Sequence, residues 1–182
     1  MKHAIGLLEL NSLAAGVLAA DTMVKTAAVD LLQATIMCPG KYIILVAGDV
    51  SAVQSAVAAG QAGFAANIIS SLVLANVHPD VFPALRGAVA ATAMGALGLI
   101  EAFSVAAAIQ AADAAAKAAV VQLLEIRLAR GMGGKAFVLF TGDVGAVTVA
   151  VAAGASQAEA EGMLAGTAVI ANPDARVWEQ VL

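Results

Sequence analysis

The sequence predicts an α+β fold made of two tandem copies of one domain, each a βαββαβ unit followed by a short helix. Three matched pairs of segments support this prediction: 4–10 with 96–102, 19–32 with 111–124, and 41–53 with 135–147. The first two pairs share one offset (98 − 6 = 92), whereas the third is shifted by two further residues (135 − 41 = 94). A period this long that occurs only twice indicates two fused domains rather than a solenoid.

Each copy is expected to begin with a strand and a helix. In copy one the apolar run AIGLLEL predicts a strand over residues 4–10. Asn11 or Ser12 is a suitable N-cap for a helix over residues 13–26, because both side chains can accept a hydrogen bond from the first turn.

The rest of copy one is expected to form a hairpin, a second helix, a fourth strand and a terminal helix. We predict these elements at 29–37, 42–47, 50–66, 71–77 and from Pro79 onward. The tight CPGK segment joins the two hairpin strands, and Asp49 lies at the N-cap of the second helix. Copy two repeats this order, so the predicted domains are 1–87 and 96–182, with a linker at 88–95. Helices on one face of an antiparallel four-stranded sheet fit each copy.

The composition indicates small domains that gain by assembly. The chain has 182 residues, of which 62% are apolar and 4% aromatic, and the apolar residues are mostly alanine and valine. Small side chains bury little area each, so two domains of about 90 residues have thin cores. Covering their flanks with neighbouring chains would stabilise them.

Charge and polarity exclude several classes of protein. Residues 50–79 carry no formal charge, but eight serine, glutamine and asparagine residues interrupt them, so we predict no membrane span. No basic segment precedes an apolar run at the start, so no signal peptide is expected. The net charge is −4 and the nine basic residues are scattered, which argues against nucleic-acid binding. A single cysteine is consistent with a reducing cytosol.

The sequence predicts no enzyme. The GMGGK segment fails the phosphate-loop pattern twice, because Ala129 stands at the first glycine position and Ala136 follows the lysine. Glu9 and Glu101 occupy equivalent strand positions, and the duplication explains them without catalysis. No catalytic triad or carboxylate pair is recognisable by spacing.

Several motifs, each present twice and in order, resemble the bacterial microcompartment shell domain. They are AIGLLEL, AAD-x-x-x-K-x-A, a glycine-containing hairpin that ends in GK, and GDV. Two unpermuted copies in one chain resemble the tandem, trimer-forming class of this family, and the resemblance covers residues 4–182. The CPGK turn of copy one, together with GMGGK in copy two, is similar to the PduT-type shell proteins.

The resemblance implies a structural role. Three chains of that class form a flat pseudohexamer, which tiles with other shell proteins into a shell around enzymes in the cytoplasm. The resemblance places the hairpin turn of each domain around the central axis, and the implied pore-loop residues are Met37, Cys38, Pro39, Gly40, Gly131, Met132, Gly133 and Gly134. It places Lys25 and Lys117 near the outer edge, where tiles meet. On the residues alone, each lysine is also explained as a solvated helix residue with an acidic partner four positions earlier.

The sole cysteine, Cys38, lies in the turn of copy one. A [4Fe-4S] cluster generally takes four thiolates, so one chain cannot hold it. The PduT-type resemblance implies one cluster per homotrimer, held by three symmetry-related Cys38 thiolates, for electron transfer or a redox role with an encapsulated redox enzyme. Copy two offers no ligand beyond the weak Met132 thioether.

Two alternatives stay open. In the first, the tile is the same, Cys38 is a free thiol, and the axial opening passes small metabolites. In the second, the chain is a small-molecule-binding or signalling α+β oligomer that forms no shell. Iron content distinguishes the first alternative, and sheet formation distinguishes the second.

Overall fold

The computed structural model describes residues 4–87 and 89–181, and the predicted element order occurs in it twice. Copy one contains β1 (Ala4–Leu10), α1 (Leu13–Thr26), β2 (Asp30–Met37), β3 (Lys41–Gly48), α2 (Val50–Phe64) and β4 (Ile68–Ala75), and α3 (Val81–Arg86) follows it. Copy two contains β5 (Ala96–Ala102), α4 (Val105–Ala118), β6 (Val121–Arg127), β7 (Ala136–Gly142), α5 (Val144–Ala160), β8 (Leu164–Ile170) and α6 (Ala175–Val181).

Each copy forms one antiparallel four-stranded sheet, with strand orders β2-β3-β1-β4 and β6-β7-β5-β8. The central strand of each sheet, β1 or β5, pairs on both sides. The outer hairpins carry a register shift at equivalent positions, between Leu31 and Gln33 and between Leu123 and Glu125. The duplication seen in the sequence therefore extends to backbone irregularities.

The helices pack closely on the sheet because glycines lie beneath them. A Cβ atom on Gly6 would lie 2.7 Å from a methyl group of Val57 and 2.8 Å from one of Val53, both on α2. Glycine at this position therefore lets α2 approach β1. The core of copy one between sheet and helices also includes Leu8, Met23 and the other buried apolar residues of this face.

The helix starts follow the predicted capping, with one difference between the copies. Ser12 accepts a hydrogen bond from the Ala15 N–H at 3.3 Å, which selects it over Asn11 as the N-cap of α1. At the start of α5, Asp143 accepts from the Gly145 N–H at 2.9 Å. Asp49 is the N-cap of α2, but its side chain makes no capping hydrogen bond in the described structure.

The chain divides into two compact units, one ending at Val77 and the other beginning at His78. Helix α3 lies in the second unit, where it packs against β6 and α4. From the sequence, this helix was predicted to lie at the end of the first domain, which ends at residue 87. The local sequence pattern predicts the helix, whereas its packing depends on contacts that the pattern does not contain. In the described part of the chain, no helix is long and apolar enough to cross a membrane.

Candidate functional site

The hairpin turn of copy one is short and exposes its cysteine. Met37 and Lys41 form the last pair of the β2–β3 ladder, so the turn consists of residues 38–40. Gly40 has φ +77°, a left-handed conformation that glycine adopts without steric cost. Cys38 is exposed, as are the two residues after it, whereas Met37 is buried. Cys38 is therefore the ligating side chain that this turn offers to other molecules.

The corresponding turn of copy two is longer and contains no thiol. It spans residues 128–135, between the end of β6 and the start of β7. Positive φ angles occur at Ala129 (47°), Gly131 (71°), Gly133 (62°) and Gly134 (96°). The Lys135 N–H donates to the Met132 carbonyl at 3.1 Å, which closes the turn before β7. Met132 is half-buried, and its thioether is a weak ligand.

A carboxylate lies beside each turn and pairs with the lysine that follows the turn; Glu9 is buried, and Glu101 is partly buried. In copy one, the Lys41 Nζ donates to Glu9 at 2.7 Å, and the Ser70 hydroxyl donates to the other carboxylate oxygen at 2.9 Å. In copy two, the Lys135 Nζ donates to Glu101 at 2.6 Å. The lysine charge next to each turn is therefore compensated within its own domain.

These two ion pairs were not predicted from the sequence. The duplication alone explained the two glutamates there, and no partner was assigned to them. The available signal was that both members of the pair recur, Glu9 with Glu101 and Lys41 with Lys135. To pair each glutamate with its lysine, one must know how β1 aligns with β3. That alignment places Glu9 opposite Ile43, two residues after Lys41.

The described residues of one chain do not form a metal site by themselves. Within residues 4–87 and 89–181, no three His, Cys, Asp or Glu side chains cluster so that they could hold a metal ion. Cys38 is the sole cysteine of the sequence. A cluster bound through cysteine therefore needs thiolates from several chains. The exposed thiol of Cys38 fits such a shared ligand.

The two lysines predicted at the tile edge are exposed and lie in the last turns of α1 and α4. Lys25 pairs with Asp21 at 2.7 Å, and Lys117 pairs with Asp113 at 2.6 Å. A cation in the last turn also interacts favourably with the helix dipole. The two acids differ in burial: Asp21 is exposed, whereas Asp113 is buried and also accepts the His78 N–H at 2.7 Å. The edge role of the lysines stays a prediction.

Comparison with known proteins agrees with the duplicated fold. The BMC domain family matches residues 4–77 and 96–173. Over 182 residues, the chain is 42% identical to the bacterial microcompartment shell protein PduT of Citrobacter freundii, and the match covers 100% of this chain and 99% of that protein.

Solved structures show the same architecture. A microcompartment protein from Desulfitobacterium hafniense DCB, known from a crystal structure, superposes with a TM-score of 0.94 at 49% identity, covering 98% of this chain and 99% of that chain. The fused permuted hexameric shell protein MSM0275 superposes with a TM-score of 0.61 at 22% identity, over 87% of this chain and 82% of its own. The second likeness is one of fold alone.

Proposed function

The chain belongs to the BMC-domain family of bacterial microcompartment shell proteins, which are structural proteins rather than enzymes, and we propose a function on this basis. We propose that three chains form a homotrimeric shell tile that carries a [4Fe-4S] cluster. Six domains from three chains make a pseudohexamer in this proposal. Other shell proteins surround it laterally, with Lys25 and Lys117 at the edges where they meet. The observation that carries the cluster is the exposed thiol of Cys38 at the tip of the copy-one turn.

Symmetry makes one cysteine per chain sufficient. Rotation about a threefold axis through the copy-one turns generates three equivalent Cys38 thiolates. These would hold three irons and leave the fourth open to water or an outside ligand. When bound, the cluster supplies electron-transfer chemistry. An encapsulated redox enzyme is the partner that such a role requires.

The protein residues around the thiol support an accessible site. The copy-one turn is exposed at all three of its positions, so none of the residues that the structure describes buries the sulfur. Lys41 forms an ion pair with Glu9, so its ammonium group is not a free cation beside the thiol. The copy-two turn adds no thiolate, so three Cys38 residues are the full set of cysteine ligands in a trimer.

The test is chemical analysis of anaerobically purified protein. We expect about four iron atoms and four acid-labile sulfides per trimer, with the visible absorption of a cluster. Cys38→Ser should lose all three signals and keep the trimer, and Met132→Leu, the matched change in the other turn, should keep the iron. Iron-free wild-type protein that also resists anaerobic reconstitution would contradict the cluster and leave an axial pore for small metabolites.

A further inference from the structure

A buried ion pair joins the base of the copy-one turn to the central strand of its sheet. Lys41 is the first residue of β3 and directly follows the turn. Its ammonium group donates to Glu9 on β1 at 2.7 Å, and the Glu9 side chain is 5% exposed. The hydroxyl of Ser70 on β4 donates to the other carboxylate oxygen at 2.9 Å. Both oxygens of Glu9 therefore have a hydrogen-bond partner, and residues from three strands meet at this carboxylate.

The equivalent pair in copy two lacks the partner on the fourth strand. Strand register places Ser70 opposite Glu9, but it places Gly166 opposite Glu101. Glycine has no hydroxyl, so this position offers Glu101 no second hydrogen bond. The side chain of Glu101 is also 27% exposed, so water reaches it more easily. The more buried and more fully bonded pair therefore belongs to the copy whose turn carries the thiol.

The ion pair lies close to Cys38 because the turn is short. Met37 and Lys41 are opposite each other in the β2–β3 ladder, and only residues 38–40 connect them. Met37 is buried, so packing holds the strand before the turn, while the ion pair with Glu9 holds the strand after it. A large displacement of Cys38 from Lys41 would break one of these contacts.

A charge beside an iron–sulfur cluster changes its reduction potential. One-electron reduction adds one negative charge at the Cys38 site and makes or breaks no covalent bond, and the encapsulated redox enzyme of the proposed function is the electron donor. A nearby cation stabilises the added charge and raises the potential, whereas a nearby anion lowers it. Burial of the Glu9 carboxylate limits screening by water. The balance between Glu9 and Lys41 is therefore a means of setting the potential.

We propose that the Glu9–Lys41 pair, held by Ser70, sets the reduction potential of the cluster at the Cys38 site. With both residues charged, each chain places a neutral pair beside the threefold axis. Loss of the carboxylate leaves the Lys41 cation uncompensated, and symmetry repeats this change three times around one cluster. Glu9 and Lys41 bind no iron and act through their position and charge. This inference rests on the proposed function and assigns the residues that tune its redox chemistry.

Glu9→Gln tests the charge with little change in the shape of the side chain. The glutamine oxygen can still accept from Lys41, and its amide nitrogen can donate to the Ser70 hydroxyl, so the turn should keep its position. A redox titration of the anaerobically purified trimer, followed by visible absorption, should give a higher potential than wild type. At the wild-type midpoint, the ratio of reduced to oxidised cluster should rise about tenfold, which corresponds to about 59 mV for a one-electron couple.

A second substitution should reverse this shift. Adding Lys41→Met to Glu9→Gln removes the uncompensated cation and makes the site neutral again, so the potential should return to near the wild-type value. A purely structural role predicts the opposite, because the double variant has lost both members of the pair and disturbs the turn more than Glu9→Gln alone. A double variant that keeps the raised potential of Glu9→Gln would overturn the inference.

Asp21→Asn is the matched charge control. It also removes the carboxylate partner of a lysine in copy one, but Asp21 and Lys25 are exposed. Helix α1 starts after β1, whose end lies beside the turn where Leu10 pairs with Tyr42, and its last turns lead toward the other end of the sheet. Water screens an exposed charge away from Cys38, so the potential should stay at the wild-type value. A shift as large as that of Glu9→Gln would assign the effect to the total charge of the trimer and overturn the inference.

The outcomes separate this inference from the proposed function. A cluster in wild type, together with an unchanged potential in Glu9→Gln, overturns the inference while the proposed cluster stands. A Glu9→Gln trimer that holds no iron after reconstitution, when wild type does, assigns the pair to the fold of the turn and also overturns it. Wild type that holds no iron after anaerobic reconstitution contradicts the cluster itself, and the inference with it.

Discussion

Copy one and copy two share one backbone plan but differ in how much of their surface the chain itself covers. Helix α4 buries nine residues, whereas the equivalent helix α1 buries four. The strand order, the register shifts and the Glu–Lys pairs are the same in both copies. The chain therefore covers more of α4 in copy two than of α1 in copy one.

The hairpin turns also differ, because only the turn of copy one carries a thiol. Its turn has three residues and exposes Cys38. The turn of copy two is longer and rich in glycine, and its sulfur, that of Met132, is half-buried. A tandem chain can thus place a ligand at every second position of a pseudosixfold ring, which identical single-domain subunits cannot do.

The largest difference in stability is expected in the cores. Gly6 faces Val46 in copy one, and the equivalent Gly98 faces Phe140 in copy two. Both large residues are fully buried. Phe140→Ala should cost about 3–5 kcal/mol and Val46→Ala about 2 kcal/mol, since more apolar volume is lost at the first site.

Circular dichroism follows the unfolding of both copies, and Trp178 reports on copy two. It is the sole tryptophan and packs against the cluster of Leu97, Leu124 and Leu139 in copy two. In urea titrations its fluorescence should report an early transition for Phe140→Ala. Equal losses for the two variants would show that the cores do not differ as described.

An intermediate difference is expected for the Glu–Lys pairs. Glu9 is 5% exposed in its side chain, compared with 27% for Glu101. Lys41→Met leaves a buried carboxylate without its cation and should cost about 3 kcal/mol. Lys135→Met leaves a better-solvated carboxylate and should cost about 1 kcal/mol or less. Chemical denaturation checks both values, and adding Glu9→Gln to Lys41→Met should recover part of the loss. If Lys135→Met lost more unfolding free energy than Lys41→Met, the argument from burial would be contradicted.

The smallest difference concerns helix capping. Asp143 accepts a hydrogen bond from the Gly145 N–H, whereas Asp49 makes no such bond in the described structure. Asp143→Ala should therefore cost about 1 kcal/mol, and Asp49→Ala a few tenths at most. Thermal unfolding of the two variants measures the difference, and equal melting temperatures would contradict it.

Local patterns in the sequence predict most of the elements but not their contacts. The apolar run of β1 and the Ser12 cap define the first two elements at their observed ends. The prediction for β4 was less accurate. The strand begins at Ile68 rather than residue 71, because α2 ends at Phe64 and a single 3-10 turn follows. Alternation of apolar and polar residues identifies such a strand without fixing where it starts.

The candidate site shows the same division. Cys38 is exposed, as its place beside proline and glycine in a tight turn favours. The pairing of Glu9 with Lys41 and the packing of α3 on copy two depend on residues more than 30 positions apart. Such contacts are set by strand register and domain packing, which a local pattern does not contain.

Native mass spectrometry of anaerobically purified protein tests the central claim, that three chains bring three Cys38 thiols to one axis. We predict a species with the mass of three chains plus one [4Fe-4S] cluster. Cys38→Ser should give three chains without the cluster. A wild-type trimer that stays free of iron after anaerobic reconstitution, or a cluster retained by Cys38→Ser, would contradict the account.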